Sequence, residues 1–314
     1  MKEKKVAIII VTFNQEKLLI KCFNSLKENT IYKKYKVYVV DDSGKNKFGD
    51  IIKKNFKWVE VIINKENKGF SKSNNLGIKK ALKGYNPDYF LLLNDDIEII
   101  NKDWLKKMVE VGEKDKKAGI LCPRIIYPNG DLQFISQNGK VNYFIKAGVK
   151  KASKEIYKNQ IVEEVLGACF LIKREVIDKV GILDEKFSPF YGEESDWCER
   201  AKKAGYHNLY VGETEIIHLR NQTISDFSKE ELLFIQKRNS IRLELLNYNL
   251  LKILKYTFIH FGSIFFRSRS VVSKKDKKVS APKKLSILIK AYIYNIKNIK
   301  EILSKRKERN NWLK

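Results

Sequence analysis

Asp95 and Asp96 stand side by side at the end of an apolar run, Phe90-Leu-Leu-Leu-Asn-Asp-Asp-Ile-Glu98. Strands of a parallel sheet are covered on both faces and read as unbroken apolar runs. Acids at the C-terminal end of such a strand fall in the crevice where open α/β sheets bind ligands. Carboxylate oxygens there suit a hard divalent cation, Mg²⁺ or Mn²⁺, which keeps several waters and bridges substrate phosphates. The chemistry indicated is the handling of a phosphorylated small molecule. Asp-Asp after a strand is also an ordinary turn composition, or the start of a helix, so the rest of the chain must weigh between the two.

A second acidic group, Glu193, Glu194 and Asp196, precedes an amphipathic stretch. Acids are favoured in the first turn of a helix by its dipole, and Asp196 can pair with Arg200 at i,i+4. Asp41 and Asp42 end another apolar run, where a strand-end turn is the plain alternative to a ligand contact. His218, in the apolar stretch Ile216-Ile-His-Leu-Arg220, reads on its own more readily as a satisfied core residue than as a ligand. No Gly-x-Gly-x-x-Gly follows the first strand and no Gly-x-x-x-x-Gly-Lys-Ser/Thr occurs, which argues against a dinucleotide-dependent oxidoreductase and a P-loop NTPase.

Apolar runs near Val6 to Val11, Val37 to Val40, Trp58 to Ile63 and Tyr89 to Leu93 alternate with helical patterns over Glu16 to Glu28 and Ser71 to Leu82. This is βαβ alternation and predicts an α/β fold with a mostly parallel sheet. Asn14 is the expected cap of the first helix. Between Gly119 and Lys173, Pro123, Pro128-Asn-Gly130 and Asn138-Gly139 predict shorter, hairpin-rich structure.

Taken in order, these residues resemble family 2 inverting glycosyltransferases, which have the GT-A fold and use nucleotide-diphosphate sugars. The resemblance covers about the first 220 to 245 residues. It rests on Val6-Ala-Ile-Ile-Ile-Val-Thr-Phe-Asn14, Val37-Tyr-Val-Val-Asp-Asp-Ser-Gly44, Asn67-Lys-Gly-Phe-Ser-Lys-Ser-Asn-Asn-Leu-Gly77, Leu93-Asn-Asp-Asp96, and Gly181-Ile-Leu-Asp-Glu-Lys-Phe187 leading into Tyr191-Gly-Glu-Glu-Ser-Asp-Trp-Cys-Glu-Arg200. It implies that Asp41 contacts the nucleotide base, with Thr12, Asn14, Lys68, Asn75 and Asp95 as further donor-binding residues. Leu93-Asn94-Asp95-Asp96 matches the family's Asp-x-Asp with Asn94 in the first acidic place, so Asp96 is the implied metal ligand, joined by His218. Glu194 takes the place of the catalytic base, where the family has Asp. The implied cofactor is a divalent cation, and the implied partners are a nucleotide-diphosphate sugar and a glycan or lipid-linked acceptor.

Lysine and arginine number 63 against 37 acids, a net charge of +26. Much of the excess lies late: Gln236 to Lys314 holds 21 basic and 4 acidic residues, 21 − 4 = +17. We expect a catalytic domain over 1–245 and a basic amphipathic helical extension over 246–314. Within the extension, Leu250 to Phe266 and Leu285 to Leu303 mix apolar residues with lysines, as suits helices lying in a headgroup region, with Ser273 to Lys284 as a solvated linker. Peripheral membrane contact through 250–303 would keep the protein beside a lipid-linked acceptor. The alternative is that the apolar stripes pack on the catalytic domain.

The four cysteines form no Cys-x-x-Cys pair, and the first apolar run is too short for a signal peptide. Both point to a cytoplasmic setting, and the basic extension would place the protein at the inner face of the cell membrane. A basic chain also admits a nucleic-acid binder, but no recognition motif appears. A sugar nucleotidyltransferase would carry a basic Gly-rich loop where this chain has Thr12-Phe-Asn-Gln-Glu16.

Overall fold

The first strand, β1 (Val6–Thr12), sends alternate residues into two cores: Ile8 and Ile10 into one, Ala7 and Ile9 into the other. That two-sided burial is why its sequence is apolar throughout instead of alternating. The computed structural model describes residues 3–45, 48–137, 140–143, 154–219, 227–265 and 279–313. Among them β2 (Tyr35–Asp41), β3 (Val59–Ile63) and β4 (Tyr89–Asn94) run parallel with β1 in the order β3-β2-β1-β4. Chain order therefore reverses between β1 and β4. The crevice beyond the C-terminal ends of these two strands is the topological switch point of the sheet, where open α/β folds bind ligands.

One face of the sheet is covered by α1 (Glu16–Glu28), α2 (Gly49–Asn55) and α4 (Trp104–Lys114), which contribute Phe23, Ile52 and Trp104 to the first core. The other is covered by α3 (Phe70–Gly84), α5 (Arg174–Val180) and α6 (Glu193–Lys203), which contribute Ile78, Val176 and Trp197. α1 and the four parallel strands lie where the apolar pattern places them. Asn14 does not cap α1. It takes a left-handed φ of 57°, and α1 begins after Gln15 with no side-chain cap, so Asn14 shapes the turn at the end of β1.

Beyond β4 the sheet continues through β10 (Cys169–Lys173), β6 (Ala118–Ile126), β11 (His207–His218) and β5 (Ile97–Ile99), with β9 (Gln160–Val162) beside β11. β10 is antiparallel to β4 and β6, whereas β6 and β11 are parallel. Pro128-Asn-Gly130 forms a turn with Gly130 at φ 84°, and strands β7 (Phe134–Gln137) and β8 (Lys140–Tyr143) flank Asn138-Gly139, which lies outside the described residues. Pro123, expected as a breaker, sits inside β6. It is accommodated because the β10 ladder runs only as far as Leu121 and because β11 slips register just after Val211, opposite Pro123.

The C-terminal quarter is helical: α7 (Lys229–Asn247), α8 (Leu250–Gly262), α9 (Ala281–Lys297) and α10 (Ile299–Asn310). A capping box, Ser228 with Glu231, starts α7. Pro282 and Lys283-Lys284, expected in a linker, belong to the first turn of α9, where proline's missing N–H costs nothing. Residues 273–278 of that expected linker lie outside the described residues. α9 packs Leu288 and Ala291 with Ile241 of α7, and α10 buries Ile302 with Leu246. No helix among the described residues is long and apolar enough to cross a membrane.

Candidate active site

Thr12, at the end of β1, is fully buried and donates its hydroxyl to Asp95 Oδ2 at 2.7 Å. The strand register places Thr12 beside Asp41 and Val11 beside Asn94, so the ends of β1, β2 and β4 form one edge. Burial pushes the Asp95 carboxyl up to about 7. The Thr12 hydroxyl works against that rise and the neighbouring Asp96 charge adds to it.

Asp96 and His218, 122 residues apart in sequence, meet at the same edge. His218 Nε2 lies 3.2 Å from Asp96 Oδ1, and the contact is fixed by β11 pairing with β5, His218 opposite Ile97, and by the Leu219 N–H bonding to the Asp96 carbonyl. Gln133 orients the imidazole. Its Nε2 donates to the His218 and Ile126 carbonyls, which turns its Oε1 toward His218 Nδ1 at 2.8 Å. An amide oxygen only accepts, so Nδ1 carries the proton. Nε2 then faces the carboxylate oxygen across a gap that a shared proton or a divalent cation would bridge. A hydrogen-bonded imidazole beside a carboxylate is the donor chemistry that holds Mn²⁺ or Mg²⁺, with the second nitrogen anchored by an outer partner. Among the described residues no three His, Cys, Asp or Glu side chains converge on one point. The pair therefore fits a cation that completes its shell with water and phosphate oxygens.

Glu194 is the second residue of α6, which opens after two residues in left-handed conformation, Tyr191 at φ 78° and Gly192 at φ 93°. Such a φ at tyrosine is strained and must be held by its surroundings. Asn239 of α7 holds it. The side chain is buried, and its Nδ2 donates to the carbonyls of Phe187, Phe190 and Tyr191 at 2.7, 3.0 and 2.7 Å. Arg238 adds a bond to the Ser188 carbonyl, and the Pro189 carbonyl accepts the Phe70 N–H at the start of α3. A Cβ at Gly167 would stand 3.3 Å from Glu194 Cδ, and the adjacent Ala168 carbonyl accepts the Asn94 N–H. Glu194 thus lies against the short segment that closes onto the end of β4. Burial lifts its carboxyl to about 7, with the Glu164 charge adding to the rise and backbone hydrogen bonds opposing it; Glu193 beside it is buried and lifted well above the carboxylate range.

Asp196 has the structural role the i,i+4 spacing suggested. Burial alone would raise its carboxyl, but Arg309 and Arg200 pull it well below the usual range, with bonds of 2.5 Å from Arg309 and 2.9 Å from Arg200. Asp41 is fully buried and accepts the Ser43 and Phe48 N–H groups, while Asp42 accepts those of Lys68 and Gly69. Both acids shape the loops over the strand ends. Asn75 is not at that edge: its amide grips the Leu183 backbone in both directions and touches Glu185. The Lys68 side chain is exposed and, with Lys72 and Lys79, lines a separate cleft of 410 Å³ that also takes in Glu185.

Sequence reasoning had no signal for Gln133, Asn239 or Arg309. Each is a polar residue of ordinary surface type whose partner at the site, His218, Tyr191 or Asp196, lies 48 or more residues away.

A parallel half with its switch point lined by acids, continued by an antiparallel β10 and a histidine-bearing β11, is the GT-A architecture of nucleotide-sugar glycosyltransferases. The chain belongs to glycosyl transferase family 2, whose model it matches over residues 7–181. The match ends before Glu194 and His218. The chain is 28% identical over 178 residues to the low-salt glycan biosynthesis hexosyltransferase Agl10 of Haloferax volcanii, covering 55% of this chain and 56% of that one. Its fold is similar to that of GalNAc-T7, solved with UDP, GalNAc and Mn²⁺ (TM-score 0.64, 16% identity, 94% of this chain and 57% of that one). It is also similar to that of the mannosyltransferase PcManGT of Pyrobaculum calidifontis, solved with GDP-Man and Mn²⁺ (TM-score 0.57, 11% identity, 100% and 84%). The chain spans just over half the length of Agl10 and of GalNAc-T7.

Proposed function

We propose that this glycosyltransferase moves a hexosyl group, with inversion, from a nucleotide-diphosphate donor to a hydroxyl of a glycan or lipid-linked acceptor. The observation that carries this reading is the Asp96–His218 pair, anchored by Gln133 and set beside Asp95 and Thr12 at the switch point. The hexosyltransferase name of Agl10 and the nucleotide and Mn²⁺ contents of the two solved structures support it.

The proposed step is one displacement at the anomeric carbon. The acceptor oxygen bonds to that carbon while the bond to the diphosphate breaks, and the nucleoside diphosphate leaves with the electron pair. Glu194 receives the acceptor's hydroxyl proton, a role worth on the order of 10² to 10⁴ in rate. Its raised carboxyl suits a base that works near neutrality. Asp96 and His218 would hold the divalent cation, which when bound neutralises charge on the departing diphosphate. Asn14, Asp41 and Asp95, with Thr12 behind Asp95, would receive the nucleoside over the strand ends. Lys68, whose side chain lines the neighbouring cleft, would reach the donor only from outside the strand-end crevice, and Asn75 would act at one remove by fixing the 183–185 turn. The division into catalytic residues 1–245 and an extension, 246–314, that meets the inner face of the cell membrane beside a lipid-linked acceptor belongs to the same reading.

The test is Glu194→Gln with a panel of nucleotide sugars. Nucleoside diphosphate affinity is expected to stay within about twofold while turnover falls by at least about 10². Normal turnover would remove Glu194 from the mechanism. Asp96→Ala is expected to abolish metal-dependent binding of the diphosphate, and undiminished affinity in excess chelator would end the metal role.

A further inference from the structure

α8 and α9 each bury one face on α7 and leave a second apolar face open. On α8, Leu250, Leu251, Leu254, Phe258 and Phe261 are between 43% and 78% exposed, and Phe265, just past its end, is 83% exposed. Their spacing of three, four and seven residues puts them on one stripe. On α9, Leu285, Ile289, Ile293 and Ile296 repeat that spacing and are 38% to 63% exposed. Phe261 stacks on Tyr292 of α9, with ring centroids 6.1 Å apart and planes at 15°, so the two stripes adjoin. Neither helix contains an acid, and Lys252, Lys255, Lys283, Lys290 and Lys297 are exposed beside the stripes.

We propose that α8 and α9 form one lipid-binding face that seats in the headgroup region of an anionic bilayer. This deepens the membrane part of the functional reading and does not depend on the transfer chemistry. Large contiguous apolar faces are rarely left to water. A helix of 13 residues is about 20 Å long, too short to cross hydrocarbon about 30 Å thick, so α8 lies in the interface plane. Charge selects the partner. Residues 250–300 hold 13 basic residues and one acid, so a second copy of this chain would set lysine against lysine. A nucleic acid would answer the lysines but leave the leucine and phenylalanine stripe wet. Anionic lipid answers both, because its headgroups neutralise the lysines and its acyl boundary takes the apolar side chains.

The face is joined to the candidate active site through α7. Asn295 of α9 donates to the Arg238 carbonyl, and Arg238 and Asn239 hold the loop that precedes Glu194. The seated helices and the base therefore share one support.

The experiment is flotation of the full chain with vesicles of phosphatidylcholine alone and with phosphatidylglycerol added. Wild type, the stripe variant Phe258→Ser with Ile293→Ser, and the charge variant Lys252→Glu with Lys290→Glu are compared. All four positions are exposed, so thermal midpoints are expected to match wild type. Wild type should float with the anionic vesicles, and each variant should lose at least about tenfold in bound fraction. Diphosphate binding, measured on the same preparations, should be unchanged, which separates failure of this surface from failure of the transferase reading. Recovery of both variants equal to wild type, or no flotation of wild type, overturns the proposal. So does a concentration-dependent dimer that the stripe variant abolishes in the absence of vesicle binding, since that assigns the face to a second copy.

Discussion

At the residue scale, Glu194 and Asp196 show how two carboxyls in the same helical turn separate into different roles. Glu194 is raised to about 7 chiefly by burial, whereas Asp196 is drawn well below its ordinary range by Arg309 and Arg200. The signs are opposite. As the proposed base Glu194 must be ionised, so kcat/KM is expected to fall about tenfold per pH unit below about 7, and a profile flat down to pH 5 would contradict the assignment. For stability, Glu194 holds in the folded state a proton that the unfolded chain releases, so its contribution falls as pH rises from about 4.5 to about 7. Asp196 contributes stability above its unfolded pKa and loses it as pH falls through its depressed folded value. Arg309→Ala leaves Asp196 buried with one arginine instead of two and is expected to cost about 3 kcal/mol in urea unfolding. Gln133→Ala removes the anchor of the His218 ring, and Mn²⁺ affinity in the presence of nucleoside diphosphate should fall about 10- to 100-fold by calorimetry. Unchanged Mn²⁺ affinity would show that the ring needs no such support.

At the element scale, periodicity carried the parallel half of the sheet. β1 and β4 read directly because strands covered on both faces have no polar side, and α1 begins and ends at Glu16 and Glu28 as its stripe indicated. Gly77, part of the quoted motif, has a packing reason: a Cβ there would stand 2.5 Å from Ile9 Cγ2 as α3 crosses β1. Gly77→Ala is expected to destabilise by about 1–3 kcal/mol through overpacking, read as a lower urea midpoint with an unchanged slope. What the sequence withheld are elements defined by distant polar partners. Asn239 reads as a surface residue in an ordinary helix, yet it holds three carbonyls of a left-handed turn. Arg242 and Arg309 count as solvated charge in a basic tail but lie buried on Asp184 and Asp196. Local pattern carries no information on such pairings, because they are fixed only when helices dock.

At the scale of the whole molecule, the basic extension has two sides. Its inner faces complete the support of the Glu194 turn through α7 and α10, and its outer faces are the apolar and lysine-bearing surface of α8 and α9. Packing on the catalytic unit and the proposed contact with a membrane, set against each other in the sequence, are compatible because different faces would serve them. The central claim is that the strand-end crevice receives a nucleoside diphosphate together with a divalent cation. The most direct measurement is the thermal midpoint of the purified chain with UDP, GDP, TDP and CDP, each with Mn²⁺, with Mg²⁺ and with chelator, because a ligand that binds only the folded state raises its stability. A rise is expected with one diphosphate, requiring metal and lost in Asp96→Ala. No rise with any diphosphate in either metal, from a protein that melts cooperatively, would contradict it.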